Sequence, residues 1–219
     1  MKLKKVTAIL LTAVMTAALA ACGSSSGDSS GSSGDDAGGS GTYTIGICQQ
    51  MEHAALDAAT EGFQDACREL FGEDNVEFDV QNAQGEQTMC STIVNNFVSS
   101  DVDLILANAT LPLQTAAQAT SDIPILGTSV TDYGSALGID DWTGATGVNI
   151  SGTSDLAPIE EQEDMLLELV PDAQTVGILY CSSESNSKYQ AELFEAELEA
   201  DGISYKEHTA ADSNEIQSV

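Results

Sequence analysis

From Thr42 onward the apolar positions switch between two periods. The run Tyr43-Thr44-Ile45-Gly46-Ile47-Cys48 reads as a strand. Ala54 to Leu70 then sets Ala55, Ala59, Phe63, Cys67 and Leu70 at helical spacing and stops at Gly72. Val76, Phe78 and Val80 alternate as a second strand, and Thr88 to Val98 makes a helix through Ile93, Val94 and Phe97. Asp103 to Asn108 is a short buried strand, Leu113 to Thr120 a helix, and Ile123 to Gly127 a fourth strand. A Gly-rich segment holding Trp142 leads to a strand over Ala145 to Ile150.

The pattern then restarts. Asp155 and Pro158 cap a helix to Val170 with Met165, Leu166 and Leu169 inward, followed by a buried strand over Thr175 to Cys181. Asn186 to Ala200 is a helix ending at Gly202, and Ile203 to Glu207 is a strand. Asp212-Ser213-Asn214-Glu215 has the form of a capping box opening another helix. Such alternation predicts an α/β fold of right-handed βαβ units, with parallel sheets covered on both faces. Two lobes are expected, an N-terminal one over 42–150 and a C-terminal one over 151–219. The second has only two or three strands and an unfinished helix. A parallel sheet that small leaves apolar strands and an edge uncovered, so the expectation is a truncated chain with an incomplete second lobe.

The region before Thr42 has a different logic. Lys2, Lys4 and Lys5 precede an apolar, alanine-rich stretch, so residues 1–21 read as a secretion signal too short for a lasting membrane span. Leu19-Ala20-Ala21-Cys22 resembles the bacterial lipobox, in which the cysteine sulfur is lipidated, with acyl chains such as palmitate, before cleavage on its amino side. Gly23 to Gly41 holds only Gly, Ser, Asp and one Ala, which cannot bury enough apolar surface to offset the entropy of ordering. With Cys22 it makes a flexible linker over 22–41 that reaches roughly 25 Å. The expected location is outside the cell, on the outer face of the bacterial cytoplasmic membrane, held by lipidated Cys22.

Charge and cysteines narrow the function. Beyond residue 21 the chain has three cations (Arg68, Lys188, Lys206) against 35 acids, a formal net charge of −32. Nucleic-acid binding needs basic patches that neutralise phosphates, and this composition excludes it. Cys48, Cys67, Cys90 and Cys181 are an even count in an exported chain, yet each lies on an apolar strand end or helix face. Packing as free small hydrophobes is the expectation. With no CxxC pair and only His53 and His208 to add imidazoles, no metal site is expected, and no cofactor. There is no GxSxG, HExxH, P-loop or GxGxxG after a strand, so the chain reads as a binding protein and not an enzyme.

The polar clusters sit at strand carboxyl ends: Cys48 to His53, Asn108 to Thr110, Thr128 to Asp132 and Ser182 to Ser187. Ligands of open parallel sheets bind in the crevice there, and helix N-termini offer free N–H groups that suit a carboxylate. The runs YTIGICQQMEHAALDAATEGFQDA, ANATLPLQTAAQATSDIPILGTSVTD, GVNISGTSDLAP and ILYCSSESNSKYQ resemble the ABC-transporter substrate-binding lipoproteins of the tryptophan/tyrosine type, from about Thr42 to the end. The resemblance implies a type I periplasmic-binding-protein fold that closes two lobes on a small solute, an aromatic amino acid or another small polar molecule, for a membrane permease and its ATPase. A membrane-tethered ligand sensor on the same fold is the alternative. Carried onto this chain, the first-lobe contacts are Gln50, His53, Asp57, Asn108, Ala109, Thr110, Thr128 and Asp132. Ser154 and Asp155 come from the crossover, and Ser182, Ser183 and Asn186 from the second lobe. In this reading N–H groups near Leu111, with Thr110, hold a carboxylate, Asp132 or Asp155 holds an ammonium, and Trp142, Tyr133 and Tyr180 are candidates to stack on a ring.

Overall fold

Residues 41–219 are described in a computed structural model; the signal, Cys22 and all of the linker but Gly41 lie outside the described residues. Five parallel strands form the larger sheet: β1 (Tyr43–Gln49), β2 (Val76–Asn82), β3 (Leu104–Asn108), β4 (Ile125–Val130) and β5 (Ile150–Ser154). Their order is β2-β1-β3-β4-β5. Between them run α1 (Ala54–Phe71), α2 (Gln87–Ser99), α3 (Thr110–Ala119) and the short α4 (Tyr133–Leu137). α5 (Ile159–Leu169) leads to a second sheet of two parallel strands, β6 (Thr175–Cys181) and β7 (Ser204–Ala210), joined by α6 (Ser185–Ala200). Residues 41–219 pack as one compact unit.

The period-2 pleat sorts β1 between two cores. Ile45 and Ile47 turn toward Cys67 of α1 and join Val76 and Leu106. Cys48, with Ile105 and Ile125 from the neighbouring strands, turns toward α2 and α3, where Cys90, Val94, Phe97 and Leu113 are buried. Gly46 is the reason this second face is so close. A methyl there would lie 2.6 Å from the Phe97 ring, so glycine lets the aromatic lie flat on the strand. Burying a phenylalanine this completely contributes about 1.5–3 kcal/mol.

Four sequence expectations need correction. β5 lies at Ile150–Ser154 and not over Ala145 to Ile150. Gly144 and Gly147 have φ of 86° and 70°, and Thr146 Oγ1 donates to the Ile150 carbonyl, so the approach to the strand is a string of turns. α4 was not foreseen in the Gly-rich segment; Asp132 nucleates it by accepting from the Ser135 N–H at 2.7 Å. The capping-box residues open only a 3₁₀ turn, Ile216–Ser218, although Glu215 does reach back to the Ala211 N–H. β6 is half-exposed and not buried, with Leu179 59% exposed, because α6 covers one face of a two-stranded sheet.

The inward face of α5 is also different. Met165 and Leu169 are 56% and 74% exposed, while Glu163 is 4% exposed and its Oε1 has no partner. Half-buried Leu166 and Leu167 follow at i+3 and i+4, so the stripe that packs toward α6 begins with a carboxylate. Burial first, then Asp201, Asp164 and Glu197, raise its pKa. An acid whose folded pKa is raised binds more protons folded than unfolded, so its share of stability falls as pH rises through that raised value. Glu163→Gln and the parent chain should therefore have similar urea midpoints near pH 4. The variant should become the more stable as pH rises toward 8, and a constant difference across that range would show that Glu163 ionises freely.

Candidate functional site

The carboxyl ends of β1 and β3 are held to α1 by a buried polar network. Asn108 closes β3 and is fully buried; its Nδ2 donates to the Leu56 carbonyl at 2.8 Å and to Thr60 Oγ1 at 2.9 Å. Thr60 Oγ1 donates in turn to Gln49 Oε1 at 2.7 Å. Gln49 Nε2 donates to Asp57 Oδ1 at 2.6 Å and to the Met51 carbonyl at 2.8 Å. Asp57 and Thr60 are three apart on one face of α1, which is what lets one glutamine reach both. Asp57 and Asn108 are thus engaged inside the first sheet's own packing, and the buried Asn108 Oδ1 has no partner among the described residues. His53 is exposed and caps α1, with Nδ1 accepting from the Ala55 N–H at 3.2 Å.

The next loop carries backbone strain. Ala109 has φ 109° and ψ 170°, a region that belongs almost wholly to glycine and costs an alanine on the order of 1–3 kcal/mol. Its N–H donates to the Thr128 carbonyl at 3.0 Å, tying the ends of β3 and β4 together. Being alanine, it supplies no side-chain cap, so the first N–H groups of α3, on buried Thr110 and on Leu111, point out of the helix end. Pro112 follows and has no N–H to satisfy. Beside it β4 bulges after Gly127, with Ser129 at φ 55°, and this sets the direction of Thr128 and Asp132.

The crossover from β5 is tied to the same end. Ser154 Oγ donates to the Thr131 carbonyl at 2.6 Å, and the Asp155 N–H donates to the Val130 carbonyl at 3.0 Å. The Tyr133 hydroxyl donates to the Thr153 carbonyl. Burial and the nearby Asp155 carboxylate push that phenol up to about 12. Asp132 spends one oxygen on the α4 cap, whereas the Asp155 carboxylate has no hydrogen-bond partner among the described residues. Tyr133 and Trp142 stack on each other at 6.4 Å and line a cavity of about 460 Å³ along the β5 edge.

From the second sheet, the Ser182 N–H donates to the Ala210 carbonyl and Ser183 Oγ to the Ala211 carbonyl. Asn186 is the second residue of α6, whose first turn faces the larger sheet. Two hydrogen bonds cross directly. Gln50 Nε2 donates to Glu184 Oε1 at 3.1 Å, and Gln114 Nε2 donates to Ser185 Oγ at 3.1 Å while also reaching the Ala136 carbonyl. α4 also packs against α6, and burial followed by the Asp132 carboxylate raises the phenol of Tyr189 there. The cleft between Met51, Gly85 and Glu86 on one side and Tyr180, Ser183, Glu184 and Asp212 on the other measures about 730 Å³. Glu184, Gln114, Gln49 and Thr60 were missed by the sequence reading. Only Glu184 carried a signal, as the residue at the N-cap place of a helix behind a polar loop.

The carboxyl end of the larger sheet thus offers the N–H groups of α3 together with the carboxylates of Asp132 and Asp155, the donor and acceptor types that hold a small zwitterion. Among the described residues no three His, Cys, Asp or Glu side chains converge as metal ligands, and no helix is long and apolar enough to cross a membrane.

Known proteins share this architecture. A tyrosine-binding protein of Clostridioides difficile is 41% identical over 150 residues, which is 68% of this chain and 43% of that protein. The crystal structure of an ABC domain in complex with L-Trp from Streptococcus pneumonia matches with a TM-score of 0.75 and 34% identity. The ligand-free, open structure of a substrate-binding protein with adhesive properties from Clostridium difficile matches with 0.60 and 36%. In both, 81% of this chain covers 60% of the other, so the chain spans about half of its relatives' length. Residues 44–219 match the ABC transporter substrate binding protein family, and the chain belongs to that family.

Proposed function

We propose that the chain captures a small solute for an ABC importer, closing lobes over 42–150 and 151–219 on an amino acid and handing it to a permease driven by its ATPase. The observation that carries this reading is that the uncapped α3 N-terminus and the Asp155 loop, tied by its N–H to the Val130 carbonyl, both stand at the carboxyl end of the larger sheet. The ligand carboxylate would lie on the Thr110 and Leu111 N–H groups and its ammonium on Asp155. Tyr180 and Met51 offer apolar surface to a side chain, in keeping with relatives that bind tyrosine and L-Trp. In this reading the Gln50–Glu184 and Gln114–Ser185 hydrogen bonds help hold the closed state, since closure is driven by contacts made only there. In this reading the chain binds and releases its ligand without chemical change.

Calorimetric titration with the free amino acids tests it. L-tyrosine or L-tryptophan should bind, and Asp155→Asn should weaken binding at least tenfold, about 1.4 kcal/mol. Asp132→Asn should do less because one oxygen is already used. Unchanged affinity in both variants would remove the ammonium role. Ala109→Gly should unfold at higher urea, by about 1 kcal/mol of relieved strain. Its affinity should nevertheless fall, because the freed backbone no longer holds the α3 N–H groups in place.

We further propose that Cys22 is lipidated and holds the protein on the outer face of the cytoplasmic membrane, with the spacer leaving the receptor free to meet its permease. Cells fed an alkyne analogue of palmitate should label the parent protein. Cys22→Ala should be unlabelled and recovered from the medium, and label persisting in that variant would contradict the anchor.

A further inference from the structure

The fold brings two cysteines together that lie 42 positions apart. Cys48 is the penultimate residue of β1 and Cys90 stands in the first turn of α2. Both are fully buried, and their Sγ atoms are 3.6 Å apart in direct contact. Cys67 is buried in the other core, and Cys181 contacts Ser183 and Ala211, so neither competes for this pairing.

We propose that Cys48 and Cys90 are a latent disulfide that closes in an oxidising medium and staples the rim of the crevice. A disulfide needs its sulfurs at about 2.05 Å, and small rotations about the two Cα–Cβ bonds bring van der Waals neighbours to that distance. What surrounds the pair favours exchange. The hydrogen bond shared between the two thiols, with help from Thr115, lowers the Cys90 thiol to about 7 against the opposing effect of burial, and the same bond raises Cys48. Thiolate character at Cys90 supplies the nucleophile.

The reaction is ordinary thiol–disulfide exchange with a small disulfide such as oxidised glutathione. The Cys90 thiolate attacks one sulfur, breaking the S–S bond of the oxidant and expelling one glutathione thiolate. The Cys48 sulfur, giving up its proton, then attacks the Cys90 sulfur of the mixed disulfide and expels the second. Two cysteine thiols become one S–S bond, and one oxidised glutathione becomes two reduced ones. Because the pair is sealed in the native core, closure belongs to folding or to a transient opening of α2.

The consequence reaches the candidate site without altering any residue in it. Gln49 and Gln50 follow Cys48 directly. The Gly85 N–H donates to the Gln50 carbonyl at 2.8 Å, and the Ala83 N–H donates to the Gln49 carbonyl at 2.9 Å. A covalent link from β1 to α2 therefore pins both ends of the loop that forms the first-sheet rim of the 730 Å³ cleft.

The test is to refold the chain in a glutathione redox buffer, trap free thiols with N-ethylmaleimide in denaturant, and map the peptides by mass. The expected result is two fewer alkylated thiols than in the reduced chain, a cross-linked Cys48–Cys90 peptide, and a thermal midpoint higher by about 8–16 °C. A Cys67→Ser/Cys181→Ser double variant should keep the shift, and Cys90→Ser should lose it. An unchanged thiol count, a bond mapped to any other pair, or a cross-link with no thermal shift would overturn the proposal. Peptide mapping of the parent chain decides the pairing even where a serine variant fails to fold.

Discussion

The hydrogen bonds from Asn108 to Leu56 and Thr60 decide where the crevice is. A fully buried amide at the last position of a central strand must be satisfied from within the protein, and its partners lie on the first turns of α1. That fixes the start of α1 over the ends of β1 and β3. Through Thr60 and Gln49 it also fixes the loop that carries Gln50 toward the second sheet. Removing such a donor leaves buried acceptors unpaired at about 1–3 kcal/mol, comparable to a large side chain in the apolar core. A polar network of this kind orients the rim more sharply than apolar packing does, because hydrogen bonds have direction and packing does not.

Charge dictates how the rest of the crevice works. With three cations beyond residue 21 against 35 acids, a carboxylate cannot count on a lysine or arginine. Two of the three are engaged elsewhere, Arg68 with Asp65 and over the Phe78 ring, and Lys188 with Glu192. Hydroxyls, amides and backbone N–H groups take over that role, and the N–H groups of a helix start are free where no side chain caps it. Ala109 provides that at α3, at the cost of a φ of 109°. The strain is tolerated because Leu113 and Ala116 anchor the same helix in the core behind it.

The periodic part of the fold was readable residue by residue. β6 begins and ends at Thr175 and Cys181 as the apolar run demands, and α1 differs from its expected span by one residue. What failed did so for tertiary reasons. No period distinguishes a glycine-rich approach from the strand it leads to, so β5 came too early. α5 was oriented by its most hydrophobic residues, although its packing face starts at Glu163. The candidate site was partly readable, since strand-end loops mark a crevice in any parallel sheet. The role of each side chain was not. Whether Asp57 faces a ligand or Gln49 depends on a contact made by folding, and the proximity of Cys48 to Cys90 depends on how α2 crosses β1.

The central claim is that a small amino acid binds at the uncapped end of α3, between the two sheets. Amide-resolved NMR of the isotope-labelled chain during titration with L-tyrosine and L-tryptophan tests it most directly. The account predicts saturable shifts of the Thr110 and Leu111 amides, accompanied by Ser182 and Asn186 across the crevice, with the amides of α5 unmoved. Shifts confined to the β5 edge around Trp142, or none at α3 at saturating ligand, would contradict it.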